Sequence, residues 1–260
     1  MRNEILTKEQ RKNYGRFSET PDQNQISKYF TLDQMDLEFI SKRRGGANRL
    51  GVALQLTCVR FLGTFPADLS AVPGTVQEFV AQQLLILDIT ILESYGKRET
   101  TKREHRILIR NRYGYRDYGR GPLSFRLTRF LYLRAWIGDE RPSLLFDLAI
   151  SWLVGNKILL PGPTTLTRLI GEIRQRAFET LWNKLADLPS EAQRSRLESL
   201  LDISGQTSWF DHYRKGPVRI SSTSFIKALE RYQGLRSFGV GNLDFSGIPL
   251  IKTRIHYIRL

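Results

Sequence analysis

Along most of this chain apolar residues recur every three or four positions with polar residues between them, the period of amphipathic helices. Leu32, Met35, Phe39 and Ile40 open such a pattern, and Thr31 with Gln34 ahead of them has the spacing of a capping box. After Lys42, Arg43, Arg44, Gly45 and Gly46, a cap at Asn48 starts a second helix. Leu50, Leu54, Cys58, Phe61 and Phe65 line one side of it and Val52, Leu56 and Val59 another, which predicts a central position. Thr75 with Glu78 forms a second box ahead of Val76, Phe79, Val80, Leu84 and Leu87, and Thr101 with Glu104 a third ahead of Ile107 and Leu108. The agreement of caps and period predicts an all-α fold. Leu84–Leu92 fits either a strand or a buried helix, since a short apolar run does not separate the two.

Asn111–Pro122 (NRYGYRDYGRGP) has the Gly, Pro and Tyr content of a linker, and the main domain boundary is expected there. Beyond it come a helix with Leu123, Leu127, Phe130 and Leu131, then one opened by Pro142 and stopped by Gly155. Pro161 and Pro163 mark a turn. A long amphipathic helix capped by Thr164 follows toward Leu188, with Leu166, Leu169, Ile170, Ile173, Ala177, Leu181 and Leu185 on one side. Pro189 opens a short helix through Leu197, Leu200 and Leu201; farther on, glycines break the pattern and only Ser224–Tyr232 reads as helical. The expected organisation is two helical units, 1–118 and 119–203, and a partial third segment, 204–260.

Charge changes the picture from a generic helical protein to one with an anionic partner. The 260 residues carry 40 Lys and Arg against 26 Asp and Glu, a formal +14, with a pI near 10.1. Nucleic acid is the commonest partner for such a chain, a membrane surface the next. Met1–Lys12 lacks the apolar core of a signal peptide, and apolar runs such as Leu144–Val154 fall short of the roughly 20 residues that cross a bilayer. A soluble protein of the cytoplasm, without a membrane partner, is expected. The single cysteine, Cys58, lies in an apolar run and provides neither a disulfide nor a thiolate metal site.

The excess charge is concentrated. Lys97 to Arg134 holds twelve cations and three carboxylates, a surplus of nine in 38 residues. On a helix, Lys102, Arg103, Arg106 and Arg110 fall within a face of about 100°, a stripe suited to a phosphate backbone or, equally, an ordinary solvated face. Tyr113, Tyr115 and Tyr118 alternate with Arg112, Arg116 and Arg120, which fits rings stacking on bases or rings packing a turn between domains. Pro142 to Leu188 runs helix, turn, longer helix, the order of a helix-turn-helix reader, with a turn longer than usual. Read that way, Thr164, Thr165 and Arg168 face DNA, beside Glu172 and Glu179; a plain core helix is the other reading. Arg43, Arg44 and Arg49 are candidate backbone contacts at a helix start. His105, His212 and His256 lack zinc-ligand spacing and no phosphate-binding glycine loop occurs, so no metal or cofactor is expected. His256 and Arg259 make an isolated H-x-x-R with no tyrosine after it.

These stretches resemble the amino-terminal region of replicative (class II) transposases of the Tn-three family. The likeness runs through LTKEQRKNYGRF (Leu6–Phe17), ISKYFTLDQMDLEFISKRRGGANRLGVALQL (Ile26–Leu56), KREHRILIRNRYGYRDY (Lys102–Tyr118) and KILLPGPTTLTRLIGEIR (Lys157–Arg174). The resemblance implies tandem helical DNA-binding modules that recognise the terminal inverted repeats of a transposon, with catalysis assigned to a separate carboxyl-terminal domain. The chain is accordingly expected to bind double-stranded DNA and to catalyse nothing itself. Two rivals stand beside this: an interaction or dimerisation module using an apolar tail around Ile248, Leu250 and Ile251, and a nuclease or recombinase.

Overall fold

The computed structural model describes residues 5–95, 99–119, 121–204, 207–216 and 221–252. Lys97, Arg98, Arg120, His256 and Arg259 therefore lie outside the described residues. The fold is all-α. Its helices are α1 (Lys8–Asn13), α2 (Gln23–Tyr29), α3 (Gln34–Ser41), α4 (Gly46–Leu62), α5 (Gly74–Gln83), α6 (Glu99–Tyr113), α7 (Pro122–Ile137), α8 (Pro142–Gly155), α9 (Pro163–Asp187), α10 (Glu191–Glu198), α11 (Trp209–Arg214) and α12 (Ser222–Ser237). The one strand pair among the described residues, Ile203–Ser204 with Thr207–Ser208, is a short antiparallel ribbon. Leu84–Leu92 is not a strand: α5 closes at Leu84 and a 3₁₀ helix covers Ile89–Ser94.

The chain divides into two compact units, one of residues 1–131 with 141–171, the other of 132–140 with 172–260. In the first, α4 is central as its pattern predicts: every residue from Leu50 to Val59 is buried. A helix apolar on all sides is stable only when surrounded, and α2, α3, α5, α6 and the 3₁₀ helix Ile89–Ser94 all pack on it. Glycines bracket it. Gly45 at its start and Gly63 at its end take φ of 79° and 71°, left-handed angles that a side chain would strain. Gly51 has a different reason, because a Cβ there would sit 2.4 Å from the Tyr95 ring.

Helix starts differ from the spacing-based expectation. The box before α3 is Asp33 with Asp36, while Thr31 donates to the Ser27 carbonyl and so closes α2. α4 starts two residues before Asn48, whose amide donates to Arg44 O. α5 follows Pro73 with no side-chain cap, and Thr101 and Thr164 lie inside α6 and α9. Capping boxes occur instead at Thr7–Gln10, Asp22–Gln25 and Ser190–Gln193. In each of these, as at Asp33, the capping residue has extended φ/ψ at the point where the chain enters the helix, which the i, i+3 spacing alone does not encode.

The linker Asn111–Pro122 begins within α6 and ends at the first residue of α7. α6 runs to Tyr113, Gly114 turns the chain at φ 75°, and Arg116 forms a parallel bridge with Ile158. This pairing ties the linker to the α8–α9 connection, so the first compact unit extends past residue 118. In the second unit Ala135, Ala177, Leu181, Leu200 and Ile248 are buried, while Leu250 and Ile251 are exposed. Cations lie over aromatic rings there: Arg176 over Tyr132 and Lys184 over Trp136, each at 5.8 Å. No helix of the described residues is long and apolar enough to cross a membrane.

Candidate nucleic-acid interface

The orientation of α6 decides what its cations can reach. His105 and Ile109 are its buried residues, and at about 100° per residue Lys102, Arg106 and Tyr113 flank that same side. The predicted stripe is therefore split. Arg106 reaches inward to donate to Pro66 O at 3.1 Å, Lys102 lies 3.7 Å from Glu99, and Arg110 pairs with Asp117. Arg103 and Arg112 are exposed on the outer side. The buried guanidinium Nε atoms of the half-buried Arg106 and Arg110 have no hydrogen-bond partner.

A buried node that carries no sequence motif fixes the end of this helix. Asp36 on α3 is fully buried and accepts four hydrogen bonds: from Arg60 Nη1 and Nη2 at 2.8 and 2.6 Å, from Tyr113 Oη at 2.7 Å, and from the Asp33 amide at 3.1 Å. Burial pushes its pKa up, but Arg60, Tyr113 and the amide together hold it below the usual carboxylate range. The Arg60 guanidinium also lies 5.4 Å from the Tyr113 ring centre. The node locks Tyr113 on both its hydroxyl and its ring, and so fixes where the chain leaves α6. Asp36 was legible only as one acid among many; the signal was its place three residues after a capping Asp.

A second relay sits beside it in sequence on α6. Gln55 Nε2 donates to Tyr95 Oη at 3.1 Å, and Tyr95 Oη lies 2.9 Å from His105 Nδ1. The tyrosine hydroxyl can give its proton to His105 Nδ1 or accept one from it, according to the tautomer of the imidazole. Burial, then the nearby Arg43, hold the His105 pKa below its ordinary value.

From Tyr113 the chain passes directly to the other candidate region. Arg116 N donates to Lys157 O at 3.0 Å and Leu159 N to Arg116 O at 2.8 Å, while Lys157 Nζ donates to Tyr113 O at 3.2 Å. Tyr14 Oη closes on Pro161 O at 2.9 Å. The exposed Arg116 is thereby brought beside the connection that leads into α9 at Pro163. Thr164 and Arg168 are exposed on the first turns of α9 and Thr165 is half-buried; the α8–α9 connection is longer than a three- or four-residue turn and is braced by the bridge to Arg116.

The turn Lys42–Arg49 is built separately at the start of α4. Arg49 Nε donates to Arg43 O at 3.2 Å, and the half-buried Arg43 stacks its guanidinium 5.4 Å from the Phe39 ring. Lys42, Arg44 and Arg49 are exposed. Among the described residues no group of three His, Cys, Asp or Glu side chains is placed to hold a metal ion.

The amino-acid sequence is 52% identical over 253 residues to the transposase for transposon gamma-delta of Escherichia coli (strain K12), covering 96% of this chain and 25% of that protein. It is 31% identical to the transposase for transposon Tn1546 of Enterococcus faecium (94% of this chain, 24% of that one). It is 30% identical to the transposase for transposon Tn501 of Pseudomonas aeruginosa (92% and 23%). The chain thus spans about a quarter of the length of these Tn-three-type relatives. Residues 5–173, which take in the α4 core, the Asp36 node and the start of α9, match a family described as a domain of unknown function, DUF4158, and the chain belongs to that family.

Proposed function

We propose that this chain binds double-stranded DNA at the terminal inverted repeats of a transposon, as a non-catalytic part of the transposition machinery of a bacterial cell, acting in the cytoplasm at the nucleoid. The observation that carries the reading is the joining of the basic segment Arg112–Arg116 to the connection that opens α9, so that exposed cations and the candidate reading residues Thr165 and Arg168 belong to one compact unit. Phosphate contacts by Arg103, Arg112 and Arg116, with further ones from Arg44 and Arg49, set affinity and register; contacts from the first turns of α9 set sequence preference. The names of the relatives, all transposases, support the role in transposition.

The test is a titration of an inverted-repeat duplex and a scrambled duplex at several salt concentrations. Replacing both Arg112 and Arg116 with Gln is expected to weaken both complexes alike and to flatten the slope of log K against log salt by roughly 2. Arg168→Ala is expected to cost about 1–3 kcal/mol on the inverted repeat and little on the scrambled duplex. Equal losses on both duplexes would remove base reading from α9, and absence of binding at low salt would remove the proposal. A second reading, self-association, is supported by the exposed Phe225, Ile226, Leu229 and Tyr232 of α12; sedimentation that stays monomeric at high concentration would end it. Metal-dependent nicking of supercoiled DNA by the purified chain would overturn the non-catalytic assignment.

A further inference from the structure

We propose that Arg43 is a seat for one phosphate of the bound DNA backbone, a contact that fixes register more than it adds general affinity; this rests on the DNA-binding reading above. Arg60, Arg106, Arg110 and Arg231 are half-buried like Arg43. Each of those four has an acceptor inside the fold: Asp36 for Arg60, Pro66 O for Arg106, Asp117 for Arg110, and the Lys215 and Lys227 carbonyls for Arg231. The Arg43 guanidinium donates to no described residue, and its Nε is sealed from solvent. What surrounds it is uncharged. It lies 5.4 Å from the Phe39 ring centre, and on α6 its charge is felt by His105, which it helps to keep neutral. Glu104 acts on the same histidine, yet no ion pair joins it to Arg43. A guanidinium taken partly out of water without an acceptor costs free energy. The Phe39 face attracts the charge but offers no lone pair, so it offsets only part of that cost. An anion from outside would supply the rest.

The turn that carries Arg43 is stitched into place. Three successive carbonyls are taken by the first turn of α4: Arg43 O by Arg49 Nε at 3.2 Å, Arg44 O by Asn48 Nδ2 at 2.9 Å, and Gly45 O by Arg49 N at 3.2 Å. The eight residues Lys42–Arg49 hold four cations and no carboxylate, and of these cations Lys42, Arg44 and Arg49 are exposed. A phosphate diester presents two free oxygens and one charge, which the planar fork of a single arginine matches. Phosphates in a row, as a DNA backbone supplies them, suit one fixed guanidinium flanked by looser cations. A free phosphate ion, the other source of this chemistry, leaves Lys42, Arg44 and Arg49 without a role. Because Arg43 is held by its ring contact and its turn, its phosphate can lie in one place only, whereas an exposed side chain follows the backbone as it shifts.

The experiment titrates the full chain with an inverted-repeat duplex in which backbone phosphates are replaced, one at a time, by neutral methylphosphonates. Arg43→Met keeps an apolar stem against Phe39 and removes the unpaired charge, so its melting temperature is expected to equal or exceed that of the wild type. It should bind the unmodified duplex roughly tenfold more weakly. One methylphosphonate should weaken the wild type by the same factor and leave Arg43→Met unaffected, while the others act equally on both proteins. Arg43→Lys keeps the charge and loses the fork, so it should weaken binding almost as much with a salt slope near that of the wild type, whereas Arg44→Lys changes little. Additive losses at every phosphate would overturn the seat and leave DNA binding standing. A lowered melting temperature for Arg43→Met with unaltered duplex affinity would also overturn it, in favour of a structural role. Saturable binding of inorganic phosphate that Arg43→Met abolishes, with equal duplex affinities for the two proteins, would assign the site to a free anion instead. A wild-type chain that binds no duplex at low salt would remove the DNA-binding reading, and the seat with it.

Discussion

The two compact units hold themselves together differently. In the first, Leu50–Val59 of α4 is buried on every side and two polar clusters, Asp36–Arg60–Tyr113 and Gln55–Tyr95–His105, pack against it. In the second, the buried apolar side chains among the described residues are Ala135, Ile173, Ala177, Leu181, Leu200 and Ile248, while Phe178, Trp182, Trp209, Phe225 and Tyr232 are exposed, and contacts such as Arg176 over Tyr132 lie at the surface. Burial supplies most of the free energy of a fold and exposed ion or ring pairs little. The first unit is therefore expected to unfold cooperatively as one body, and the second to open locally at lower cost. The proposed DNA contacts all fall in the first, on the part whose geometry is fixed most firmly.

Removing the Asp36 carboxylate tests that contrast most severely. Asp36→Ala leaves Arg60 charged and half-buried without its partner and should cost about 3–5 kcal/mol in denaturant melts; a loss below about 1 kcal/mol would show that the node does not hold the first unit together. Acid should act on the same group. Its pKa is held low in the folded state, so the unfolded chain takes up the proton first; the stability it lends is whole above pH about 4 and drains as pH falls below that. The next effect is steric: Gly51→Ala presses a methyl into the Tyr95 ring and is expected to cost about 1–3 kcal/mol, with a changed near-ultraviolet tyrosine spectrum. In the second unit, Ser190→Ala removes a capping box and should cost about 1 kcal/mol, read as faster amide exchange in α10 with α4 unchanged. The smallest effect is a weakening of the first unit as pH falls below about 6.5, where the unfolded His105 protonates and the buried one does not. His105→Gln should flatten that slope.

The stretch Leu50–Val59 was legible because apolar side chains on two sides of the helix leave one solution, burial. Helix starts were less so: Thr31, Thr75 and Thr101 share the capping spacing with Asp33 and Ser190, but only the latter two directly precede a helix and accept from its third amide. The division of the α6 cations was not legible for a related reason. With Ile107 and Leu108 exposed and His105 buried, the apolar residues do not mark the inner face, and long cations such as Arg106 can lie along a core boundary with their stems covered. The bridge between Arg116 and Ile158 joins residues 42 apart; nothing local announces such a pairing, and it is the contact that brings the candidate site together.

The burial of Leu50–Val59 in α4 also has a consequence for how the protein is made. Its apolar flanks are covered in part by Tyr95 and Ile109, and Ile109 is added to the growing chain 50 residues after Val59. At a synthesis rate of about 5–20 residues per second, the helix stays bare on that side for roughly 3–10 s. During that interval its long apolar stretch is exposed, so the nascent chain should be a client of ribosome-associated chaperones. Slowing translation between codons 60 and 109 should lower the soluble yield more than the same delay placed after codon 171.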